Sequence, residues 1–208
     1  MKSSLLALTF VAFAMPALQA QTGPAVKVDL KVPKASNIQT PQIQATNTPT
    51  RNWRPKEWLE IETDLSVKLP TNAGGRNGSL ASMTINYFIG MNAQNKEGKF
   101  QLLKGSIIYA DVPAGERCHA LAFVSPSTLR RVLEKDNFTA SSDIKAIAIE
   151  VVVDGAVVAG ESTIPVTASN KWWEKADAFA VSESVVLSRM ETPFSVLWGD
   201  YDLPTKSK

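Results

Sequence analysis

Residues Asp143–Ile164 read DIKAIAIEVVVDGAVVAGESTI and define a β-hairpin. The first half is rich in β-branched and small apolar residues, which is typical of a packed strand. Asp154 and Gly155 follow, and this pair favours a two-residue type I′ turn, because both central positions of that turn need a positive φ. The turn also sets the register. The predicted pairs are Val153 with Ala156, Val151 with Val158, and Ile149 with Gly160.

Segments of alternating polarity lie on both sides of this hairpin, with turn residues between them. They predict further strands at Leu59–Leu69, Met83–Met91, Phe100–Val112 and Arg117–Val124. Val185–Leu187 and Phe194–Trp198 are predicted as strands or an extended return. Gly105 is predicted to mark a bulge or a close backbone approach. Ser125 and Pro126 open the one short helix. About eight strands at this spacing predict an all-β fold, an antiparallel sandwich with Greek-key pairing.

The N-terminal part of the chain divides by composition. Residues 1–20 combine a basic start, a short apolar run and small residues before a cleavage point after Ala20, which predicts a secretory signal peptide. Residues 21–52 are rich in Pro, Thr, Gln and Asn and predict a flexible arm. Alternation in Val26–Val32 supports a second hypothesis, a strand that pairs with a sheet edge of this molecule or of a neighbour. The sandwich domain is predicted at 53–203, with a C-terminal tail at 204–208.

Charge and hydropathy argue against a nucleic-acid partner and against a membrane-spanning segment. Without Lys2, 21 basic residues face 20 acidic ones. They alternate along the chain instead of forming the basic face that a nucleic-acid partner requires. The apolar run Leu5–Met15 is too short for a stable anchor, so no membrane span is predicted in the mature chain.

Residues with catalytic or metal-binding chemistry are few. His119 is the only histidine and Cys118 the only cysteine, and neighbouring side chains of a strand point to opposite faces. This inventory predicts no zinc site of ordinary ligation. Asp200 and Asp202 lie on one side of an extended Gly199–Leu203, where a carboxylate pair suits calcium or glycoside cleavage but more often solvates a strand end. We therefore predict no catalytic residues, no metal site and no cofactor.

Tryptophan is abundant, with five residues in the chain. Trp172 and Trp173 are adjacent and cannot readily share one face, so at least one of them is expected to be partly exposed. Exposed tryptophans anchor protein interfaces and stack on sugars. Trp172, Trp173 and Trp53 are the candidate interface residues, and the alternative is that the adjacent pair seals the end of the sandwich.

Several segments also carry a family resemblance. They are Arg54–Glu62, His119–Leu129, Ile144–Val153, Lys171–Trp173 and Glu191–Tyr201. Together they resemble the verrucomicrobial pilus-like proteins, including those of type IV pilus loci, and the closing Thr-Pro-Phe…Leu-Trp…Asp-Tyr run is the most specific part. The resemblance implies an immunoglobulin-like sandwich and a role with envelope pilus machinery. It implies no known catalytic residues.

Two functional hypotheses follow. The first is a non-catalytic protein-interaction module, exported to the periplasm, the outer membrane or the cell surface. Its partners would be envelope or pilus-assembly proteins, and self-association through a sheet edge is a further hypothesis. The apolar run ends before Pro16, unlike that of a fibre-forming pilin, which favours an accessory component. The alternative is a secreted carbohydrate-binding or glycan-hydrolysing domain that uses Trp172 or Trp173 as a platform and Asp200 and Asp202 as acids.

Overall fold

The structure, a computed structural model, describes residues 26–43, 46–167 and 170–206, so the predicted signal peptide lies outside the described residues. Over the described ranges the chain forms two β-sheets, which confirms the predicted all-β sandwich. The strands are β1 Lys27–Leu30, β2 Lys34–Gln39, β3 Glu57–Lys68, β4 Ser79–Gln94, β5 Phe100–Pro113, β6 Cys118–Val124, β7 Ile144–Val153, β8 Ala156–Ser162, β9 Phe179–Ser182 and β10 Val186–Ser188.

Each sheet contains five strands. Sheet 1 has the order β1-β3-β6-β10, and β2 pairs with the same edge of β3 as β1 does. Sheet 2 has the order β8-β7-β4-β5-β9. Neighbouring strands are antiparallel except for β5 and β9, which pair in parallel. The described part thus has two strands more than the eight or so predicted, and the difference lies mainly in β1 and β2.

The turn of the β7–β8 hairpin has the predicted geometry. Asp154 and Gly155 have φ values of 50° and 79°. Both are positive, as a type I′ turn requires. Val153 pairs with Ala156 directly before and after the turn, so the local sequence is enough to specify how this hairpin closes.

The register farther from the turn differs from the prediction. A β-bulge lies between Val151 and Val152, and a bulge places one extra residue on one strand of a pair. As a result Val151 pairs with Ala159, and Ile149 pairs with Glu161. Both predicted pairs are wrong by one residue. The side chains of Val151 and Ile149 nevertheless stay fully buried in the core.

The prediction of a flexible arm is wrong for residues 27–39. β1 pairs with residues 65–68 of β3, and β2 pairs with residues 57–62. The hypothesis of a strand in Val26–Val32 that pairs with a sheet edge therefore describes β1, within the same molecule, whereas β2 was not predicted. Val28 and Leu30 pack against the core. The amino-acid composition predicted a flexible arm because the segment has few apolar residues. A half-buried edge strand needs apolar residues at every second position only.

Two short helices connect β6 to β7. They are α1 Pro126–Leu133 and α2 Ala140–Asp143. α1 begins as predicted, because the Oγ atom of Ser125 accepts a hydrogen bond from the N–H of Thr128 at 3.2 Å. Leu129 and Val132 are buried on one face of this helix. α2 is a single turn that the sequence analysis did not predict.

The main core lies between the sheets, and each sheet also buries part of its outer face. In the main core the hydroxyl groups of Tyr87 and Tyr109 lie 3.1 Å apart, and that of Tyr109 donates to the carbonyl of Leu121 at 3.2 Å. Hydrogen bonding of this kind is what allows a phenol to lie in an apolar interior. The outer faces are covered by short aromatic segments.

The C-terminal segment closes one side of the sandwich. The N–H of Leu203 donates to the carbonyl of His119 in sheet 1 at 3.0 Å. The N–H of Ala110 in sheet 2 donates to the carbonyl of Pro204 at 2.8 Å, and Lys206 donates to Ile108 at 2.9 Å. Residues 204–206 are therefore paired backbone, and their prediction as a tail is wrong.

β10 of sheet 1 approaches β5 of sheet 2 closely at Gly105. A Cβ atom on Gly105 would lie 2.7 Å from the Cβ atom of Val186 and 2.9 Å from its carbonyl oxygen. Gly105 stays in register opposite Tyr87. Of the two predicted roles, close backbone approach is the one observed.

We expect the substitution Gly105→Ala to lower the free energy of unfolding by about 1–3 kcal/mol, as overpacking of a closed core does. Urea denaturation would measure this loss. Gly199→Ala is the matched control, because a Cβ atom there meets nothing within 4 Å. Equal midpoints for the two variants would contradict the close approach of β10 and β5.

Candidate interaction surfaces

Trp172 and Trp173 cover the outer face of sheet 2 and both belong to the short 3-10 helix Trp172–Glu174. Trp173 is only 5% exposed and stacks on Phe88 with ring centroids 5.3 Å apart. Trp172 is half-buried, meets Trp173 edge-on at 5.4 Å, and donates from Nε1 to the Oγ atom of Ser162 at 3.1 Å. The prediction that at least one of the pair is partly exposed fits Trp172. The prediction of Trp173 as an interface residue is wrong, because its ring is buried against Phe88.

An ion pair between a half-buried lysine and a buried carboxylate fixes this aromatic segment to sheet 2. Glu150 of β7 is buried, and its carboxylate accepts a short hydrogen bond from Lys171. That bond raises the pKa of Lys171. Lys171 directly precedes the tryptophans, so the pair both neutralises a charged residue in a buried strand and positions the aromatic cover.

Trp53 lies before β3 and is 45% exposed. Its role in an interface stays a prediction.

Trp198 is also exposed, at the opposite end of the sandwich domain in sequence. It lies in an exposed segment that we call the C-terminal loop and define as residues 189–203.

A buried ion pair lies at the centre of the C-terminal loop. Nε of Arg189 donates to Oδ2 of Asp202 at 3.2 Å, and both side chains are almost fully buried. Nη1 of Arg189 also donates to the carbonyls of Ser195 and Leu197, at 2.7 and 2.8 Å. One guanidinium therefore holds three parts of the loop together.

Asp202 connects the loop to sheet 1. Its Oδ1 atom accepts a hydrogen bond from the N–H of Leu121 in β6 at 3.0 Å. Burial raises the pKa of Asp202 to about 6, against the opposing effect of that hydrogen bond and of Arg189. Asp200 is exposed. The two aspartates are therefore not a pair, and the expectation that Asp202 solvates a strand end is wrong.

Aromatic packing adds to the order of the loop. Phe194 is fully buried, with its ring 4.8 Å from that of Phe123 and 5.5 Å from that of Trp58. It belongs to the 3-10 helix Pro193–Val196, so the prediction of a strand or an extended return at Phe194–Trp198 is wrong. A proline at the first helical position, after a capping threonine, is the local signal that could have found this helix.

Trp198 adopts an unusual backbone conformation. Its φ is 55°, which is rare for a bulky residue. The ring lies 6.0 Å from that of Phe194, and the carbonyl accepts a hydrogen bond from the N–H of Tyr201 at 3.1 Å. Around this fixed backbone the loop exposes apolar side chains at Met190, Val196, Trp198 and Tyr201. A loop whose interior is rigid and whose exterior is apolar is suited to contact another surface.

A cluster of charged residues lies beside the loop on the outer face of sheet 1. Nδ1 of His119 in β6 is 2.8 Å from Oδ1 of Asp64 and 3.5 Å from Oε1 of Glu62, both in β3. Arg117 pairs with the other oxygen of Asp64 and, as the largest effect, lowers the pKa of that carboxyl. Cys118 is buried on the opposite side of β6, so the predicted separation of Cys118 from His119 is observed.

Comparisons with known proteins agree with the fold. A protein-family model matches residues 19–208. A crystal structure of a protein from Akkermansia muciniphila resembles the chain with a TM-score of 0.77 and 23% identity, over 88% of this chain and 95% of that one. At this identity the likeness shows the fold. No curated protein matches the sequence. No helix of the described residues is long and apolar enough to cross a membrane.

Proposed function

Because the chain belongs to the family of verrucomicrobial pilus-like proteins, we propose that it is a non-catalytic envelope or surface protein that serves type IV pilus machinery as a protein-interaction module. The chain is exported in this proposal, since its first twenty residues have the composition of a signal peptide. Its partners are envelope or pilus-assembly proteins.

The C-terminal loop is the observation that carries this proposal. Its interior is fixed by the Arg189–Asp202 pair and by Phe194, so little conformational entropy is lost when a partner binds. Its exterior presents Val196, which is 69% exposed, beside an exposed tryptophan. Exposed apolar side chains on a rigid support are typical of the centre of a protein interface.

The carbohydrate-binding alternative has less support. A sugar platform requires an aromatic face open to solvent, and the face of Trp173 is stacked on Phe88. The pairing of Asp200 and Asp202 that glycan hydrolysis would use is absent, because Asp202 is bonded to Arg189 and Leu121 inside the fold. Trp172 remains the residue through which this alternative can be tested.

We expect Val196→Glu to reduce capture of pilus-assembly proteins by immobilised mature protein by about tenfold or more, the effect of losing one central apolar contact. Quantitative mass spectrometry of the captured envelope fraction would measure it. Val157→Glu is the matched control, since Val157 is 54% exposed but lies in β8, away from the loop in sequence.

Three results would contradict the proposal. The first is capture by Val196→Glu at the wild-type level. The second is an equal loss of capture in Val196→Glu and Val157→Glu. The third is saturable binding on a glycan array that disappears with Trp172→Ala, because this would favour the carbohydrate-binding alternative.

A further inference from the structure

The charge cluster of Glu62, Asp64 and His119 has a geometry that ion pairing alone does not explain. We propose that these three residues bind a divalent transition-metal ion, with zinc as the preferred ion. The site adjoins the C-terminal loop through Tyr201, but none of its three proposed ligands belongs to that loop.

The distances within the cluster match those around a single ion. Zinc lies about 2.0–2.2 Å from nitrogen and oxygen ligands. Two ligand atoms at that distance from one ion are about 2.8–3.6 Å apart, from octahedral to tetrahedral angles. Nδ1 of His119 lies 2.8 Å from Asp64 and 3.5 Å from Glu62, and the three ligand atoms all lie within 4.8 Å of one another.

The His119 nitrogen is buried without a well-directed partner. Its Nδ1 atom is closed to solvent and makes no hydrogen bond of acceptable angle, although Oδ1 of Asp64 is near. A buried polar atom without a directed hydrogen bond normally carries a cost. Two ligand atoms that face a common ion have this relation to each other, because their lone pairs point to the ion and not along a shared hydrogen bond.

Each of the three side chains is held in place by a neighbour. The ring of His119 stacks on Tyr201, with centroids 4.1 Å apart and planes 9° apart. The hydroxyl of Tyr201 donates to Glu62. Arg117 binds Oδ2 of Asp64 and leaves Oδ1 facing His119. Support of this kind orients the ligands in protein metal sites.

An open depression of about 950 Å³ borders the cluster, and its lining includes Arg117, His119 and Tyr201. The donor set is one imidazole and two carboxylates. Calcium and magnesium prefer oxygen ligands alone, whereas zinc accepts imidazole and carboxylate together. Three protein ligands leave a position for water, as in open zinc sites.

Sequence analysis predicted no metal site because it considered His119 with Cys118 and Asp200 with Asp202, and did not combine His119 with carboxylates of another strand. Glu62 and Asp64 alternate on one face of β3, and the strand register places Asp64 opposite His119. The signal was therefore a pairing between two distant strands, which no local motif encodes.

The first test uses the mature protein without a polyhistidine tag, stripped with a chelator and titrated with zinc chloride. We expect one saturating equivalent by calorimetry. With zinc in about hundredfold excess over its Kd, the Tm should rise by about 5–10 °C. The chain has one histidine, so the ring-nitrogen NMR signals report on His119 without a variant, and Nδ1 should shift with zinc. An unchanged Nδ1 signal would overturn the proposal.

Variants then assign the ligands. His119→Gln and Glu62→Gln should each weaken zinc binding by about tenfold or more. Asp200→Asn, at a nearby exposed carboxylate, and Cys118→Ser, at the buried thiol, should bind zinc as the wild type does. Saturable binding that persists in both ligand variants, or that disappears in Cys118→Ser, would overturn the assignment.

Discussion

Removal of residues 21–43 is expected to leave a chain that unfolds or aggregates under conditions where the full mature protein is stable. The deletion takes away β1 and β2, which together pair with β3 from residue 57 to residue 68. It also removes Val28, Leu30, Ala35 and Ile38 from the packed surface. Burial of one Val or Leu contributes about 1.5–3 kcal/mol. A loss of about 4 kcal/mol or more approaches the whole stability of many domains.

The exposed edge would add to that loss. Without β1 and β2, one side of β3 presents a row of unpaired N–H and carbonyl groups, and such an edge recruits other chains. Urea denaturation and sedimentation velocity would measure stability and aggregation. As a control, residues 46–52, which are exposed, are replaced by Gly and Ser at the same length, with little expected change in Tm. A deletion variant that is monomeric and melts with the wild type would show that the two strands contribute nothing.

Features that depend on neighbouring residues were predictable from the sequence. The Asp154-Gly155 turn needs only two residues with positive φ, and the α1 start needs only a capping serine followed by proline. Strand alternation in β3 and β4 likewise repeats every two residues, so it is visible in any short window. These elements are sufficient to assign two packed sheets.

Features that depend on distant partners were not predictable. The edge strand β2 becomes a strand because β3 offers it free backbone groups, and its own sequence did not predict this. The alternation in Val26–Val32 supported a strand at β1, but it did not identify β3 as the partner. The bulge near Val151 shifts a register that the turn alone would set. Trp173 is buried because Phe88, in another strand, is available to stack on it.

The same reasoning applies to the candidate surfaces. Arg189 and Asp202 are thirteen residues apart, and in the sequence both look like ordinary surface charges. Only the fold shows that the guanidinium replaces the backbone partners that the loop carbonyls lack. Burial of a charged pair is therefore the information that sequence analysis missed, and it changes the interpretation of the segment from an extended strand to a fixed loop.

Arg189→Met is expected to destabilise the protein by about 3–5 kcal/mol at pH 8, because it leaves the buried carboxylate of Asp202 without its cation. It also leaves the carbonyls of Ser195 and Leu197 without their donor. Arg130→Met is the matched control. Arg130 pairs with Asp136 on the surface, where both side chains are well exposed, and such pairs contribute about 0–1 kcal/mol.

The effect of Arg189→Met should depend on pH. Burial raises the pKa of Asp202 to about 6, above the value of about 3.9 for an unfolded chain. A raised pKa in the folded state means that the stabilising contribution of the carboxyl is complete below about pH 4 and is lost as pH rises through 6. Arg189 opposes this rise in pKa. Without Arg189 the pKa of Asp202 is higher still, so the variant continues to lose stability as the pH rises above 6. The stability of the wild type no longer falls with pH in that range.

The deficit of Arg189→Met relative to the wild type should therefore be larger at pH 8 than at pH 5. At pH 5 Asp202 carries a proton in both proteins, and what remains is the loss of the hydrogen bonds to the loop carbonyls, about 1–3 kcal/mol. Urea denaturation at the two pH values measures both deficits, and the deficit of Arg130→Met should stay small at each. Equal deficits at pH 5 and pH 8 would show that Asp202 does not titrate in this range. A deficit below that of Arg130→Met would show that the buried pair does not hold the loop, and the rigidity on which the proposed interface depends would then have to come from Phe194 alone.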